Sequence, residues 1–192
     1  RARPGTIGLP LPGTDIRIVD AETGRHEMPV DEPGELIARG PQVFRGYLGL
    51  PEESNKALRS FDGKTYFYTG DVAKKDQDGY ITICDRAKDM LIVGGYKVFS
   101  VEVENKLKEL EEIELSAVIG TPDEERPGND VVNLYVQLSK VGRERGDAAV
   151  KEKILAYCRD TMAPFKVPKY IHIVAQIPLT PVGKVDKKAL RK

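Results

Sequence analysis

Hydrophobic and polar residues follow one pattern in the first 86 residues of the chain and a different pattern after them. In the first part they alternate, which is typical of half-buried β-strands. The alternating segments lie at residues 14–20, 34–40, 63–71 and 78–85. Turn residues separate these segments, and one short helix is predicted at Pro51–Arg59. The first part is therefore predicted to be rich in β-structure.

The second part of the pattern mixes strands with helices. Gly94-Gly95-Tyr96 separates two short apolar segments and predicts a hairpin, because glycine accepts positive φ. Ser100 and Asp147 are each predicted to cap a helix. The apolar stripes of these helices are Val103, Leu107 and Leu110 in the first, and Val150, Ile154, Tyr157 and Cys158 in the second. Strands are predicted at 116–120, 131–138 and 170–175, and a last helical turn at 185–192.

Together the two patterns predict an α+β fold in two domains. The first domain, residues 1–86, is β-rich. The second, residues 87–192, is a small α+β unit with a short antiparallel sheet flanked by helices. It is long enough to bury a core of its own. The charged residues at 86–89 are predicted to form the link between the two domains.

Composition indicates a globular chain, with 40% hydrophobic and 31% charged residues. No apolar run approaches the roughly 18 residues that a membrane-spanning helix needs, so no membrane span is expected. The first ten residues contain no apolar segment of the signal-peptide type. Because the chain opens without Met in a turn-rich segment, we expect it to be a piece of a longer protein.

Charge is balanced overall, with 30 basic and 30 acidic residues, which argues against a dedicated nucleic-acid-binding protein. The two signs are nevertheless separated along the chain. Acidic residues concentrate in residues 102–125, whereas seven basic residues and a single acid, Asp186, follow from Lys166 onward. This basic stretch is either an anion-binding surface or an ordinary solvated tail.

Cysteine and histidine give little indication of metal or nucleophilic chemistry. Cys84 and Cys158 have no metal-ligand spacing, so neither a disulfide framework nor a metal site is expected. Free thiols suit a reducing cytoplasm. His26 and His172 lie far apart in the chain and are expected to be structural. Lysines, carboxylates and backbone groups therefore remain as the candidates for chemistry.

Three segments carry such candidates. Asp71 ends Tyr68-Thr69-Gly70-Asp71 at a turn, where a carboxylate could bind the two hydroxyls of a ribose. Charged residues cluster at 85–89, directly before an apolar segment. Lys184 follows a loop stiffened by proline and glycine, from which it could reach a phosphate. Taken singly, each segment favours an ordinary turn, linker or surface lysine over a functional role.

In combination these segments resemble motifs of the adenylate-forming superfamily, which contains acyl-CoA synthetases, peptide adenylation domains and luciferases. PGTIGLPLPGTDIRIVD is similar to the segment that follows the family's adenine-binding motif, and GPQVFRGYLGLPEES is similar to the next motif. The later motifs are matched, in order, by YTGD, DRAKDMLIVGG with EVE, PFKVPKYI and PLTPVGKVD. The resemblance covers the whole chain.

The resemblance implies a role for each candidate residue. Asp71 and Arg86 would bind the ribose of ATP and of the acyl-adenylate, and Lys88 would be the hinge between the domains. Gly95, with its neighbours Gly94 and Tyr96, would line the path of the CoA thiol. Lys184 would be the catalytic lysine that bridges the acyl carboxylate and the α-phosphate.

The resemblance also implies what lies outside this chain. The family's phosphate loop, its Mg²⁺-binding glutamate and its acyl pocket have no match here. We therefore expect residues 1–86 to end a large adenylating domain, and residues 87–192 to form its mobile lid. The missing N-terminal domain would be the main partner of these residues. Alone, the fragment is expected to be inactive.

The expected activity of the full-length enzyme is acid–thiol ligation with ATP and CoA. Glu104 matches a glutamate that we interpret as structural. Ile92 stands where luciferase-like relatives have a lysine, and the surrounding motif favours a fatty acid as the carboxylic acid. Two alternatives remain at this point: an adenylating enzyme that uses a carrier-protein thiol, and a non-catalytic module that binds a nucleotide or a partner.

Overall fold

The computed structural model describes residues 3–191 and divides the chain into two units, Arg1–Lys88 and Asp89–Lys192. Each unit combines sheet with helix, and the predicted α+β class is confirmed. The observed division lies within the predicted link at 86–89. The assignment of the units to a larger adenylating domain and a mobile lid stays a prediction.

The first unit is an antiparallel sheet with one short helix in its described part. Its elements are β1 (Asp15–Val19), β2 (Gly34–Arg39), α1 (Pro51–Ala57), β3 (Leu58–Phe61), β4 (Lys64–Lys75) and β5 (Ile81–Arg86). The strand order is β1-β2-β4-β3, and β5 also pairs with β4. Because β4 has 12 residues, its first half can pair with β3 and its second half with β5.

Both faces of this sheet are buried, whereas the alternating pattern predicted one buried face for each strand. Ile18 and Leu36 pack in a cluster on one face, while their neighbours Val19 and Ile37 pack in a separate cluster with Tyr66 and Tyr68. Adjacent residues of a strand point to opposite faces, so each pair supplies both clusters. The predicted helix at 51–59 ends at Ala57, since the next residues pair with β4 as β3.

The second unit contains a hairpin, a sheet and helices. Its elements are β6 (Leu91–Val93), β7 (Tyr96–Val98), α2 (Ser100–Leu107), β8 (Ile113–Pro122), β9 (Asp130–Leu138), α3 (Lys140–Arg145), α4 (Asp147–Thr161), a 3₁₀ turn (Pro164–Lys166), β10 (Tyr170–Val174) and α5 (Lys187–Leu190). The sheet has the order β10-β9-β8, and β6 pairs with β7 separately. Lys192, which the predicted last turn included, lies outside the described residues.

The sheet of the second unit is mixed, which corrects the predicted antiparallel sheet. Strands β8 and β9 are antiparallel, but β10 runs parallel to β9. The chain leaves β9 and passes through α3 and α4 before β10. A helical crossover of this kind brings the chain back to the end of the sheet where β9 began, so β10 runs in the same direction as β9 and the pairing is parallel.

The apolar stripes of α2 and α4 form the core of the second unit, as predicted. Val103 and Leu107 from α2 and Val150, Ile154 and Cys158 from α4 are fully buried. They pack against alternate residues of β9 in a single cluster. This packing fixes the orientation of α2, which is the helix that supports the C-terminal segment described below.

Neither predicted helix cap forms a side-chain cap. Ser100 is the first residue of α2, and its Oγ accepts a hydrogen bond from Lys187 Nζ instead. Asp147 is likewise the first residue of α4, and Gly146, with a φ of 89°, occupies the cap position. Asp147 therefore contributes a negative charge to the first turn, where it stabilises the helix by interacting with the positive end of the helix dipole.

Candidate functional site

Asp71 and Arg86, two predicted site residues of the first unit, lie directly opposite each other on β4 and β5. Arg86 Nε is 3.0 Å from Asp71 Oδ1, and the Asp71 side chain is 32% exposed. Among residues 3–191, no hydrogen bond is made to the second carboxylate oxygen of Asp71. A ligand with hydroxyl donors can therefore reach this carboxylate while Arg86 holds it in place.

The backbone before Asp71 is fixed by β2. Gly70 adopts a φ of 70°, which the absence of a Cβ permits. Its N–H donates to Glu35 Oε1 at 3.0 Å, and the Thr69 hydroxyl donates to the carbonyl of Leu36 at 2.8 Å. The Asp71 N–H donates to Thr69 Oγ1. These bonds fix the turn, so the position of the Asp71 carboxylate does not depend on a flexible loop.

Glu35 is a supporting residue that the sequence did not single out. It is a buried acid on β2, and besides Gly70 it contacts Arg59 at 3.2 Å. The available signal was a glutamate at the start of an otherwise apolar segment, GELIAR. A buried carboxylate needs partners, and here the partner is the turn that carries Asp71.

The predicted hinge residue Lys88 is the last residue of the first unit. The residue before it, Ala87, is held to β4, since its N–H donates to the Gly70 carbonyl at 2.8 Å. Residues 87–89 form a turn. The role of Lys88 as a hinge stays a prediction.

Gly94 and Gly95 form the turn between β6 and β7, with φ values of 59° and 81°. The Gly94 N–H donates to Asn129 Oδ1 at 2.7 Å. Tyr96, the next residue, stacks on Phe165 with ring centroids 4.5 Å apart and remains 60% exposed. A Cβ added at either glycine would meet open space. The turn therefore presents bare backbone beside an exposed aromatic ring.

Lys184 lies on an exposed turn of the second unit. The Thr180 N–H donates to the Lys184 carbonyl at 2.7 Å, and the Gly183 N–H donates to Thr180. Leu179 and Val185 pair as an isolated bridge on either side of this turn. Within residues 3–191, Lys184 Nζ has no hydrogen-bond or ion-pair partner. The turn thus holds its backbone and leaves the ammonium group available to an anion.

Lys184 and the Gly94–Tyr96 turn belong to the same unit but have different neighbours. The glycine turn contacts Asn129 and Phe165. Val185, next to Lys184, lines a surface cavity of about 340 Å³ together with Glu104 and Ser116. Asp71 and Arg86 are thus in direct contact, whereas the glycine turn and Lys184 share none of these neighbours.

Several basic side chains of the C-terminal stretch are already paired with acids, so they are not available to bind an anion. Lys166 pairs with Glu102, Lys187 with Glu104, and Arg191 with Asp89. Two of these acids lie in the acidic segment 102–125, so the charge segments partly neutralise each other. Lys184 differs from these three basic residues because its ammonium group has no ion-pair partner within residues 3–191, which makes it the better candidate for binding an anion.

Residues 3–191 form neither a metal centre nor a membrane-spanning helix. No group of three or more histidine, cysteine, aspartate or glutamate side chains is placed to hold a metal ion. No helix in this range is long and apolar enough to cross a bilayer. Cys84 and Cys158 form no disulfide within residues 3–191, and burial raises the pKa of Cys158 to about 11.

Two family models match the chain and together span more than half of it. Residues 102–184 match the AMP-binding enzyme C-terminal domain, and residues 1–48 match the AMP-binding enzyme model. The interval between them contains Asp71, Arg86, Lys88 and the Gly94–Tyr96 turn. These candidates therefore rest on their motifs and their geometry.

Curated relatives align along nearly the whole chain. The long-chain-fatty-acid–CoA ligase of Bacillus subtilis (strain 168) is 41% identical over 98% of this chain and 31% of the ligase. The feruloyl-CoA synthase of an Amycolatopsis species is 38% identical over 98% of this chain and 36% of the synthase. The chain thus spans about a third of the length of the relatives it matches.

Solved structures show the same fold. ATP-bound MatB from Rhodopseudomonas palustris aligns with a TM-score of 0.83 and 35% identity, over 98% of this chain and 35% of MatB. The amide bond synthetase McbA from Marinactinospora thermotolerans aligns with a TM-score of 0.80 and 32% identity, over 97% of this chain and 36% of McbA.

Proposed function

Because the chain belongs to the AMP-binding enzyme family of adenylate-forming enzymes, we propose that it is the C-terminal third of an acyl-CoA synthetase. In the first half-reaction, a carboxylate oxygen of the substrate attacks the α-phosphate of ATP and displaces pyrophosphate. In the second, the CoA thiol attacks the acyl carbon, loses its proton and displaces AMP. The products are acyl-CoA, AMP and pyrophosphate.

The paired Asp71 and Arg86 side chains are the observation that carries this proposal. A half-exposed carboxylate with one oxygen held by an arginine suits the two neighbouring hydroxyls of a ribose. The bonds to β2 place this carboxylate before the substrate arrives, which lowers the ordering cost of binding. We assign Asp71 to the ribose of ATP and of the acyl-adenylate, and Arg86 to its support.

Lys184 supplies the positive charge for adenylation. The substrate carboxylate and the α-phosphate repel each other as they approach, and a lysine between them offsets that repulsion. The exposed position of Lys184 and its unpaired ammonium group within residues 3–191 support this role. Lys88, at the end of the first unit, is the proposed hinge that brings the second unit to the substrate.

CoA is proposed to meet the second unit at the Gly94–Tyr96 turn. Bare glycine backbone allows a narrow chain such as pantetheine to pass closely, and the exposed Tyr96 ring offers an apolar wall. Mg²⁺ would assist ATP in the full-length enzyme, but the residues described here do not fit a metal site. We therefore derive no step of this chain through Mg²⁺.

A fatty acid is the proposed substrate. The DRAKDMLIVGG motif supports this, as does the name of the B. subtilis relative. The feruloyl-CoA synthase shows that aromatic acids also occur among similar proteins, and McbA is named as an amide bond synthetase. Assaying fatty acids against ferulate, and CoA against an amine, would identify the acid and the acceptor. The proposed location is cytoplasmic, which agrees with two cysteines that form no disulfide within residues 3–191.

The two half-reactions can be assayed separately in the full-length enzyme. Lys184→Ala should slow pyrophosphate exchange into ATP by about 10²–10³-fold, because one charged donor is lost from the transition state. The same variant should convert supplied acyl-AMP and CoA at nearly the normal rate. Lys188→Ala, an exposed lysine four residues later, is the matched control and should leave both rates unchanged.

Tyr96→Ala tests the other half-reaction. A side chain placed at Gly95 would strain the turn itself, because its φ is 81°, so Tyr96 is the cleaner probe. We expect the thioester step to slow by about tenfold while adenylation is retained. Equal loss of both steps in Lys184→Ala, or loss of adenylation alone in Tyr96→Ala, would contradict the proposed assignment.

A further inference from the structure

The segment that follows Lys184 is fastened to the second unit by a lysine with little exposure. Lys187 Nζ lies 2.8 Å from Glu104 Oε1 and donates to Ser100 Oγ at 2.5 Å. The side chains of Lys187 and Glu104 are only 13% and 17% exposed. Lysine is rarely buried unless it is paired, so this pair specifies where the chain must lie three residues after Lys184.

Glu104 connects that lysine to the rigid part of the unit. It lies on α2, whose apolar stripe is packed in the core. The same oxygen that contacts Lys187 also accepts the Val118 N–H of β8 at 2.8 Å. A displacement of Lys187 would therefore take a cation away from the Glu104 carboxylate at a site that excludes most water.

A second ion pair holds the chain farther on. Arg191 Nη2 donates to Asp89 Oδ1 at 2.7 Å, and the Asp89 side chain is 11% exposed. Asp89 is the first residue of the second unit. Arg191 is thus bound to the residue that directly follows the proposed hinge at Lys88.

The other end of the Lys184 turn is fixed as well. Ile177 is fully buried, and its N–H donates to Gln137 Oε1 of β9 at 2.9 Å. Between Ile177 and Lys187, the Asp186 N–H donates to the Pro178 carbonyl at 2.8 Å, and most of the turn is exposed. The segment is therefore a short exposed turn between the buried Ile177 and the largely buried side chain of Lys187.

We propose that the ion pairs Lys187–Glu104 and Arg191–Asp89, which we call the C-terminal clamp, set the position of Lys184 for adenylation. Glu104, Lys187, Asp89 and Arg191 are then positioning residues, and this inference rests on the proposed function of Lys184. Ion pairs that exclude water contribute little stability compared with apolar residues of the same size, so the role assigned to these two pairs is to select one arrangement of the segment. An error of about 1 Å in the place of a catalytic group can cost about 10²-fold in rate, so such selection matters here.

The first test measures the order of the turn in this chain, without any activity. Lys187→Met removes the charge and keeps most of the apolar stem. We expect the Thr180 and Asp186 amide protons, which bond across the turn, to exchange about tenfold faster in this variant. Amides of β9 should exchange at the wild-type rate. Lys188→Met, the same change at an exposed neighbour, should alter neither group of amides.

The second test measures the half-reactions in the full-length enzyme. Lys187→Met should lower the rate constant of adenylation by about 10²-fold with a smaller change in KM for ATP, and should leave the thioester step unchanged. Lys187→Arg, which keeps the charge, should recover most of the lost rate. Asp89→Asn removes the second ion pair. It should likewise lower the rate constant of adenylation and leave the thioester step unchanged.

The two tests separate the clamp from the function on which it rests. If the turn amides of Lys187→Met keep their protection, or if the β9 amides lose protection equally, the clamp does not position this turn. If the turn loses order while adenylation and the thioester step change equally, the clamp stands as a structural device and the adenylation role of Lys184 fails.

Discussion

Glu112 is the clearest single residue in the second unit whose charge holds elements together. It is 1% exposed, and its Oε1 contacts Lys153 Nζ at 2.7 Å and also Arg145. The hydrogen bond from Lys153, helped by the charge of Arg145, lowers the pKa of Glu112 even though burial opposes this. In the described residues its Oε2 has no hydrogen-bond partner. The charge therefore depends on cations supplied by α3 and α4.

Glu112→Gln should lower the free energy of unfolding by about 2 kcal/mol at pH 7, between the values for surface and buried pairs. A lowered folded-state pKa means that the ionised group stabilises the protein above its ordinary pKa of 4.5. This contribution is lost as the pH falls through the folded-state pKa, so the difference between wild type and variant should shrink in acid. Urea denaturation of wild type and variant, at pH 7 and at a pH below the folded-state pKa of Glu112, measures this difference in the free energy of unfolding.

Glu111→Gln is the matched control, since Glu111 is the exposed carboxylate next to Glu112. It should change stability by less than about 0.5 kcal/mol. A difference between Glu112→Gln and wild type that stays constant from pH 7 into acid would show that the charge is not the source of the stability.

At the scale of elements, α3 shows how a short helix can depend on one close approach. Its Gly142 lies so near the loop before β8 that an added Cβ would be 2.3 Å from the carbonyl oxygen of Glu112. The Ser139 hydroxyl caps this helix by accepting the Gly142 N–H at 3.2 Å. The helix therefore forms because a glycine and a cap occur together, although glycine disfavours helix interiors.

Gly142→Ala should destabilise the second unit by about 1–3 kcal/mol, because the clash with backbone outweighs the gain in helix propensity. The midpoint of urea denaturation measures this effect. Glu144→Ala, on the exposed side of the same helix, should be neutral or slightly stabilising. A stabilised Gly142→Ala variant would show that the loop before β8 can move away.

Elements whose apolar residues recur at a regular spacing were predicted with the right type. The apolar stripes of α2 and α4 predicted helices correctly because burial follows their helical period, and the alternating segments predicted β1 and β2 as strands although both faces of their sheet are buried. The helix α3 and the strand β3 were missed because they depend on contacts with distant residues. Their short segments carry little periodicity of their own. The parallel direction of β10 was missed for a related reason, because it depends on the path of the chain through α3 and α4 and not on a local pattern.

The candidate site was predictable residue by residue only through motifs. Spacing alone does not place Asp71 opposite Arg86, because that pairing depends on the register of β4 and β5. The supporting contacts of Glu35 and the clamp partners of Glu104 join residues far apart in the chain. Such contacts leave no local pattern in a single sequence.

At the scale of the whole molecule, each unit has its own core. The large cluster of buried residues lies entirely in Asp89–Lys192, and two smaller clusters lie in Arg1–Lys88. A unit with its own core is expected to fold alone. Residues 89–192 expressed separately should therefore show cooperative thermal unfolding and the amide spectrum that these residues give in the whole chain. Broad, poorly dispersed signals would contradict this.

The link between the units leads to a prediction for the full-length enzyme. Lys88→Pro would fix φ near −65° and restrict Ala87 before it. If the second unit must rotate between the two half-reactions, this variant should lose one of them far more than the other. Separate assays of pyrophosphate exchange and of acyl-AMP consumption measure the split. Equal losses would place the hinge elsewhere.

The pairing of Asp71 with Arg86 also limits how this region can vary in evolution. The two residues face each other across β4 and β5, while the turn that joins the strands lies at Asp76–Tyr80, at the far end of the hairpin. Residues added at that tip lengthen a loop and leave the register intact. One residue added between Ile81 and Arg86 must be absorbed as a bulge, or it turns Arg86 to the opposite face of the sheet. Natural insertions and deletions should therefore collect at the hairpin tip and be rare within β5.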